Sequence, residues 1–293
     1  MRDVIVIGKG PAGISAAIYL KRAGIDVLVL GKDLGALERS EKIENFYGLD
    51  EPLSGKEIVE KGIAQAESFG VEVVTDEVTS ITKEENFIVS AVGKTYEAKA
   101  MLIATGKSRT SVDIKGFEEF KGKGISFCAV CDGFFYRNKK IAVIGNGDYA
   151  MNEINELRNF TKDIILFTDD KKLTTEFLPQ GVPICTDKIT ELYGDDKIKG
   201  ITAGNTNYDV DGVFVAIGTA SASDFAMKMG VFTENQNIIV DENYMTNIDG
   251  LYSAGDAIGG FLQIAKAISD GAHASRSIIK YIKNKNKEKL LWQ

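Results

Sequence analysis

Val4-Ile-Val-Ile7-Gly8-Lys-Gly10-Pro-Ala-Gly13 is the stretch on which the fold of this chain turns. A β-branched run, a glycine turn and a helical stretch over residues 14–23 follow one another, and a further strand-like run occupies 26–30. Each glycine has a physical job. The first permits the tight turn, the second lets backbone approach a diphosphate, and Gly13 allows helix and strand to pack closely, with the helix N-terminus facing phosphate charge. The pattern alone is weak, but strand, turn and helix in this order point to dinucleotide binding.

The same order returns at Ile141-Ala-Val-Ile144, Gly145-Asn-Gly147-Asp-Tyr-Ala150, a helical stretch over 151–160 and a strand over 164–168. The first glycines of the two motifs lie 137 residues apart. A second echo, Leu102-Ile-Ala-Thr-Gly106 against Phe214-Val-Ala-Ile-Gly218, is spaced by 112 residues. Near the C-terminus, Gly250-Leu-Tyr-Ser-Ala-Gly-Asp256 reads as a strand ending in Gly-Asp, and an Ala-rich helix over about 262–284 lacks a phosphate loop of its own. It must therefore complete an earlier unit. The expectation is an α/β protein of two Rossmann-like, three-layer ββα dinucleotide-binding domains, the second inserted into the first. Residues 1–112 and 241–293 form the discontinuous outer domain and 113–240 the insertion. Two crossings between the domains leave room for one to rotate against the other.

At 293 residues, two domains are the size-based default. The 44% hydrophobic and 26% charged composition is that of a chain able to bury a sizeable core. Net charge −7 gives no basic field for nucleic acid. Met1-Arg-Asp3 runs directly into the first strand without the order of a signal peptide, and no apolar run reaches about 18 residues. A cytoplasmic protein without a membrane partner is expected. The charge is uneven: lysines at 280, 283, 285, 287 and 289 face only Glu288 in the C-terminal stretch. The plain reading is a solvated helix end; the sharper one is a docking site for an acidic partner.

Three cysteines, two of them in Cys128-Ala-Val-Cys131, suggest redox or metal chemistry rather than a disulfide scaffold. Disulfide exchange needs a thiolate, a second sulfur to resolve the mixed disulfide, and a proton source. The spacing of Cys128 and Cys131 meets the first two needs. A zinc half-site would need Cys185 or His273, each isolated in sequence, so no metal is expected. Cys185, within Val182-Pro-Ile-Cys185, reads as a buried small hydrophobe. His273, the sole histidine, reads as a satisfied helical residue rather than a proton relay, and Trp292 as an anchor for the tail.

Over essentially its whole length the chain resembles low-molecular-weight thioredoxin reductases. The residues that carry the likeness are Gly8-x-Gly10-x-x-Gly13, Ile43-Glu-Asn-Phe-Tyr-Gly48, Ala104-Thr-Gly106, Cys128-Ala-Val-Cys131-Asp-Gly-Phe-Phe-Tyr136 and Ser253-Ala-Gly-Asp-Ala257. The resemblance implies a homodimer and an FAD held by Gly8, Gly10, Pro11, Ala12, Gly13, Asn45, Ala104, Thr105, Gly106, Gly255, Asp256 and Gln263. Asp256 is implied near the ribityl or phosphate portion and Asn45 near the flavin. Gln263 has Leu262 where the family usually places arginine. The resemblance also implies that Cys131 faces the flavin, that Cys128 attacks thioredoxin, and that Asp132 is the acid.

One region departs from the family. An NADPH-dependent member carries arginines after the second strand of the inserted domain for the 2′-phosphate, where this chain has Thr168-Asp169-Asp170. Two carboxylates there repel a phosphate. Asp169 keeps NADH open as donor, because an acid at this place suits a ribose diol. Tyr149, standing where a small hydroxyl residue is usual, is placed to fill the cofactor's site, so the second glycine motif reads as a retained fold element. The chain thus looks like the branch whose donor is ferredoxin. The basic residues Lys121, Lys123, Arg137, Lys139 and Lys140, with the C-terminal lysines, suit the steering of that acidic carrier. The competing readings are an NADH-dependent disulfide reductase and a nonenzymatic redox-sensing flavoprotein.

Overall fold

The structure is a computed structural model that describes residues 1–106, 112–218, 222–235 and 237–291, without the side chains of 131, 222–224 and 288–291. Trp292, expected to anchor the tail, lies outside the described residues. The chain divides into two compact units, Met1–Arg109 with Ser221–Gln293, and Thr110–Ala220.

The outer unit begins with β1 (Arg2–Ile7), α1 (Pro11–Arg22), β2 (Val27–Leu30), α2 (Gly55–Ser68), β3 (Glu72–Val74), β4 (Val78–Lys83), β5 (Phe87–Ala91) and β6 (Thr95–Ile103). The inner unit holds α3 (Phe117–Phe120), β7 (Ile125–Ser126), α4 (Ala129–Asp132), β8 (Ile141–Ile144), α5 (Asp148–Leu157) and β9 (Ile164–Phe167). It continues through β10 (Ile184–Cys185), β11 (Ile189–Gly194), β12 (Ile198–Ala203), β13 (Thr206–Asp209) and β14 (Gly212–Val215). The chain then returns to the outer unit with α6 (Ala222–Lys228), β15 (Thr233–Glu234), β16 (Asn237–Ile238), β17 (Leu251–Ser253) and α7 (Ile264–Leu291).

In the outer unit the sheet runs β3-β2-β1-β6-β5-β4, with β17 also paired to β6. β1 lies parallel between β2 and β6, with Val4 opposite Val27 and Ala100. The long β6 is shared: Ala98 and Glu97 pair antiparallel with β5, while Met101 to Ile103 pair parallel with β17. That explains why a short strand far along the chain was needed to finish the unit. Val4 to Ile7 and all of β2 are buried, because α1 and α7 cover one face and a parallel sheet of this kind hides both. Pro11 opens α1 at the position where its missing N–H costs nothing, so the helix starts before the expected residue 14. α1 and α7 touch closely enough that a Cβ on Gly271 would lie 2.1 Å from the carbonyl oxygen of Ala12.

The inner unit has a parallel sheet, β10-β9-β8-β14-β7, and a separate antiparallel sheet β11-β12-β13. Its apolar runs Ile141–Ile144, Ile164–Phe167 and Gly212–Val215 are buried throughout. The chain leaves this unit near residue 220 rather than near 240. Residues 221–240 belong outside because β16 packs on the 3-10 turn Gly255–Ile258, and Asn237 fills the space beside Gly259. Among the described residues, no helix is long and apolar enough to cross a membrane.

Candidate active site

The glycine turn of the outer unit is shaped by contacts that leave no space for side chains. Gly8 has φ +108°, and a Cβ there would lie 2.3 Å from the Ala104 carbonyl oxygen; one on Gly13 would lie 1.9 Å from that of Gly8. Gly10, by contrast, faces open space, with nothing within 4 Å of a built Cβ. It caps α1 without a side chain to take the first amides. Beside this turn, the Thr105 hydroxyl is buried without a hydrogen-bond partner. Gly255, at φ +76°, reaches the same place: its Cβ would lie 2.8 Å from the Ala12 Cβ. Its amide donates to Asp270 Oδ2 at 3.1 Å, and Lys266 Nζ donates to the carbonyls of Gly255 and Gly259 at 2.9 and 2.6 Å. Asp256 follows in the 3-10 turn. The fold thus brings Gly8, Gly13, Ala104 and Thr105 together, with Ala12 against Gly255, and leaves open space at Gly10.

Asn45 and Gln263, 218 positions apart in sequence, meet directly: Asn45 Nδ2 donates to Gln263 Oε1 at 3.1 Å. His273 is exposed on α7, its ring stacked on Tyr244 at 6.0 Å between centroids.

In the inner unit, Cys128 is 2% exposed and disulfide-bonded, whereas Cys185 is a buried free thiol whose Sγ lies 3.6 Å from the Tyr208 hydroxyl. Cys131 belongs to α4, but its side chain lies outside the described residues. Ser126 ties the motif together. Its hydroxyl accepts the Cys128 amide at 3.1 Å and lies 2.7 Å from Asp132 Oδ2, to which it donates. Glu153, 1% exposed on α5, accepts the Ala129 amide at 2.9 Å, fixing the first residue after Cys128. Burial, and then the negative charge of Asp132 and Asp211, raise the Tyr136 phenol above its ordinary range. Around this segment basic groups sit on aromatic rings, Lys121 over Phe127, Arg137 over Phe134 and Lys139 over Tyr136. Phe134 and Phe135 are 63% and 67% exposed.

The second glycine turn is filled by its own chain. Thr174 N and Oγ1 both donate to the Asn146 carbonyl oxygen, at 2.8 and 3.2 Å. Asn146 Nδ2 donates to the Lys172 carbonyl at 2.8 Å, and the Thr175 hydroxyl donates to Asp148 Oδ1 at 2.5 Å. Residues 172–175 therefore lie across the turn as a strap. Tyr149 is 2% exposed, its hydroxyl 3.4 Å from the Phe127 carbonyl next to Cys128. Asp169 is used internally, its carboxylate accepting from Ile189 N at 3.0 Å and pairing with Lys188 at 3.0 Å. Asp169 and Asp170 both lie at positive φ, +54° and +59°.

Residues 2–271 match the pyridine nucleotide-disulphide oxidoreductase family. A thioredoxin reductase of Aquifex aeolicus (strain VF5) is 34% identical, over 97% of this chain and 94% of its own. The chain belongs to the thioredoxin reductase branch of the pyridine nucleotide-disulphide oxidoreductases. Among solved structures, the atypical thioredoxin reductase TRi from Desulfovibrio vulgaris Hildenborough matches with TM-score 0.89 and 36% identity, covering 97% of this chain and 99% of that one. A ferredoxin-flavin thioredoxin reductase from Clostridium acetobutylicum matches with TM-score 0.71 and 28% identity, covering 97% and 98%. The two dinucleotide-binding-type domains of α/β class expected from the sequence are the fold of this family.

Thioredoxin reductases of this family are flavoproteins that use FAD. The outer mouth suits such a cofactor: Gly10 leaves it open, and the Thr105 hydroxyl has a hydrogen bond still to make. Three contributors in this oxidoreductase have no signature in its sequence. Ser126, Glu153 and the strap at 172–175 carry no motif of their own, and only the folded chain brings them to their sites. For the strap a faint signal existed: Thr174-Thr175 are hydroxyl residues following the acidic turn at the end of β9.

Proposed function

We propose that this chain is a cytoplasmic, homodimeric, FAD-containing thioredoxin reductase whose electron donor is reduced ferredoxin rather than a nicotinamide. Electrons pass to thioredoxin by way of a disulfide between Cys128 and Cys131. The observation that carries the choice of donor is the second glycine turn, which the strap crosses through its hydrogen bonds to Asn146 and Asp148 and beside which Asp169 is paired with Lys188. An acid free to accept a ribose diol was the ground for NADH, and Asp169 has already spent its carboxylate on Ile189 and Lys188. Further support comes from the likeness to a ferredoxin-flavin thioredoxin reductase and from the basic residues mounted on rings around Cys128, which suit an acidic carrier.

On this reading the outer unit is the FAD-binding domain. Gly8, Gly10, Pro11, Ala12, Gly13, Ala104, Thr105, Gly106, Gly255 and Asp256 hold the cofactor, with Asn45 and Gln263 toward the flavin. FAD, when bound, exchanges single electrons for the pair that a disulfide takes. The inner unit carries the thiol chemistry. Two electrons and two protons open the Cys128–Cys131 bond to two thiols. Cys128, as thiolate, attacks one sulfur of thioredoxin's disulfide, forming a mixed disulfide and expelling the other sulfur as a thiolate. Asp132, held by Ser126, moves the proton to that leaving group. Cys131 then attacks Cys128, restoring the original disulfide and releasing reduced thioredoxin.

The test is an anaerobic titration with NADPH, NADH and reduced ferredoxin, following flavin absorbance and thioredoxin thiols. Bleaching by ferredoxin alone, with thiols formed, is the expected result. Prompt bleaching by either nicotinamide overturns the donor, and flavin reduction without thiol formation from any thioredoxin overturns the enzyme reading.

A further inference from the structure

In dinucleotide-binding folds, an acid at the end of the second strand commonly accepts the ribose hydroxyls. Here β2 ends at Leu30 and is followed by Gly31-Lys32, with the Lys32 ammonium paired to Glu77 at 2.6 Å. What lies across the end of β2 is a different side chain. A Cβ on Gly31 would come 2.9 Å from Lys9 Cγ and 3.3 Å from Cδ, so the absent side chain at 31 makes room for the Lys9 stem. That stem runs on past β2 to the end of β3, where Nζ donates to Thr75 Oγ1 at 2.8 Å.

Lys9 is only 7% exposed, and among the described residues its ammonium has this neutral hydroxyl and forms no ion pair. A desolvated cation without a counter-charge is costly, and lysine is rarely buried unless paired. It stands between Gly8 and Gly10 in the same turn that borders the unsatisfied Thr105 hydroxyl. A nearly buried cation short of a counter-charge, laid across the end of β2 from the glycine turn, asks for an anionic ligand. We propose that Lys9 is a specificity-determining residue, the cationic anchor for the adenosine-diphosphate half of FAD, standing in for the carboxylate that reads a ribose diol. This assignment rests on the FAD reading above.

The experiment compares wild type with Lys9→Met, which keeps most of the stem, Lys9→Gln and Lys9→Arg. FAD affinity of the flavin-stripped proteins is measured by fluorescence quenching at low and high salt, alongside their melting temperatures with and without FAD. A charge-assisted contact predicts FAD binding weaker by about tenfold or more in K9M and K9Q, a smaller dependence on salt, and near-wild-type affinity in K9R. The stripped K9M protein should melt no lower than stripped wild type, because the change removes an uncompensated buried charge; a purely packing role predicts the opposite. FAD affinity within twofold of wild type in a folded K9M or K9Q overturns the assignment. Wild-type protein that neither contains nor takes up FAD overturns the flavin reading itself, and this assignment falls with it.

Discussion

The chain contains the same turn twice, and the two copies have diverged in what they leave open. At Gly8-Lys-Gly10 the turn is braced against Ala104 and leads to unfilled space and an unsatisfied hydroxyl. At Gly145-Asn-Gly147 the bracing is alike, a Cβ on Gly145 lying 2.2 Å from the Ala216 carbonyl oxygen, yet Thr174 and Thr175 occupy the approach. The shared part is what folding needs: a glycine where strand, turn and neighbouring strand meet. The part that differs is what a ligand needs. A glycine motif is therefore evidence of fold first, and of binding only when its mouth is clear.

The largest effect should come from Cys128→Ser. Thioredoxin-dependent thiol formation should fall to background while flavin content stays at wild-type level, since Cys128 belongs to the inner unit and the open mouth to the outer. Loss of flavin in this variant would mean that the two regions are not separable in the way proposed. Next, Gly13→Ala and Gly10→Ala should part company. The first forces a methyl to 1.9 Å from a backbone oxygen and should cost about 3 kcal/mol in thermal or denaturant unfolding. The second meets nothing in the protein itself, so the stripped protein should keep its stability while FAD affinity drops about tenfold, or about 1.4 kcal/mol. Equal stability loss in both would erase the distinction between fold and ligand glycines.

In the filled turn, Asp169→Ala leaves the buried Ile189 amide without its acceptor and frees Lys188. A loss of about 1–3 kcal/mol is expected by denaturant unfolding. Flavin bleaching by NADH should not appear, because the strap and Tyr149 remain in place; its appearance would show that the carboxylate alone closes the site. The smallest effect belongs to Asp170→Gly. Asp170 is exposed at φ +59°, where glycine carries no Cβ penalty, and a gain of about 0.5 kcal/mol in stability is expected.

Much of the fold was legible because it rests on local order. The runs Val4-Ile-Val-Ile7 and Ile141-Ala-Val-Ile144, each followed by a glycine turn and helix, announce parallel strands buried on both faces. The return of the chain at Gly250 was legible for a related reason, since a strand and helix without a phosphate loop have to finish another sheet; β17 does so on β6. The point of return was less so. Residues 221–240 contain short strands and a short helix whose allegiance depends on contacts with the turn at Gly255–Ile258, and no local pattern encodes those.

At the candidate site, residue types and spacing alone fixed the chemistry on offer: two sulfurs separated by two residues with a carboxylate following, and glycines where a diphosphate can approach. Tertiary structure decided which groups meet. It placed Ser126 between Cys128 and Asp132, set Glu153 on the Ala129 amide, joined Asn45 to Gln263, laid the Lys9 stem beside Gly31 with its ammonium on Thr75, and folded residues 172–175 over the second turn. The division has a physical cause. Backbone conformation and reactivity belong to residues and their immediate neighbours, whereas burial, pairing and the occupancy of a mouth are set by segments far apart in sequence that only packing brings within hydrogen-bond distance.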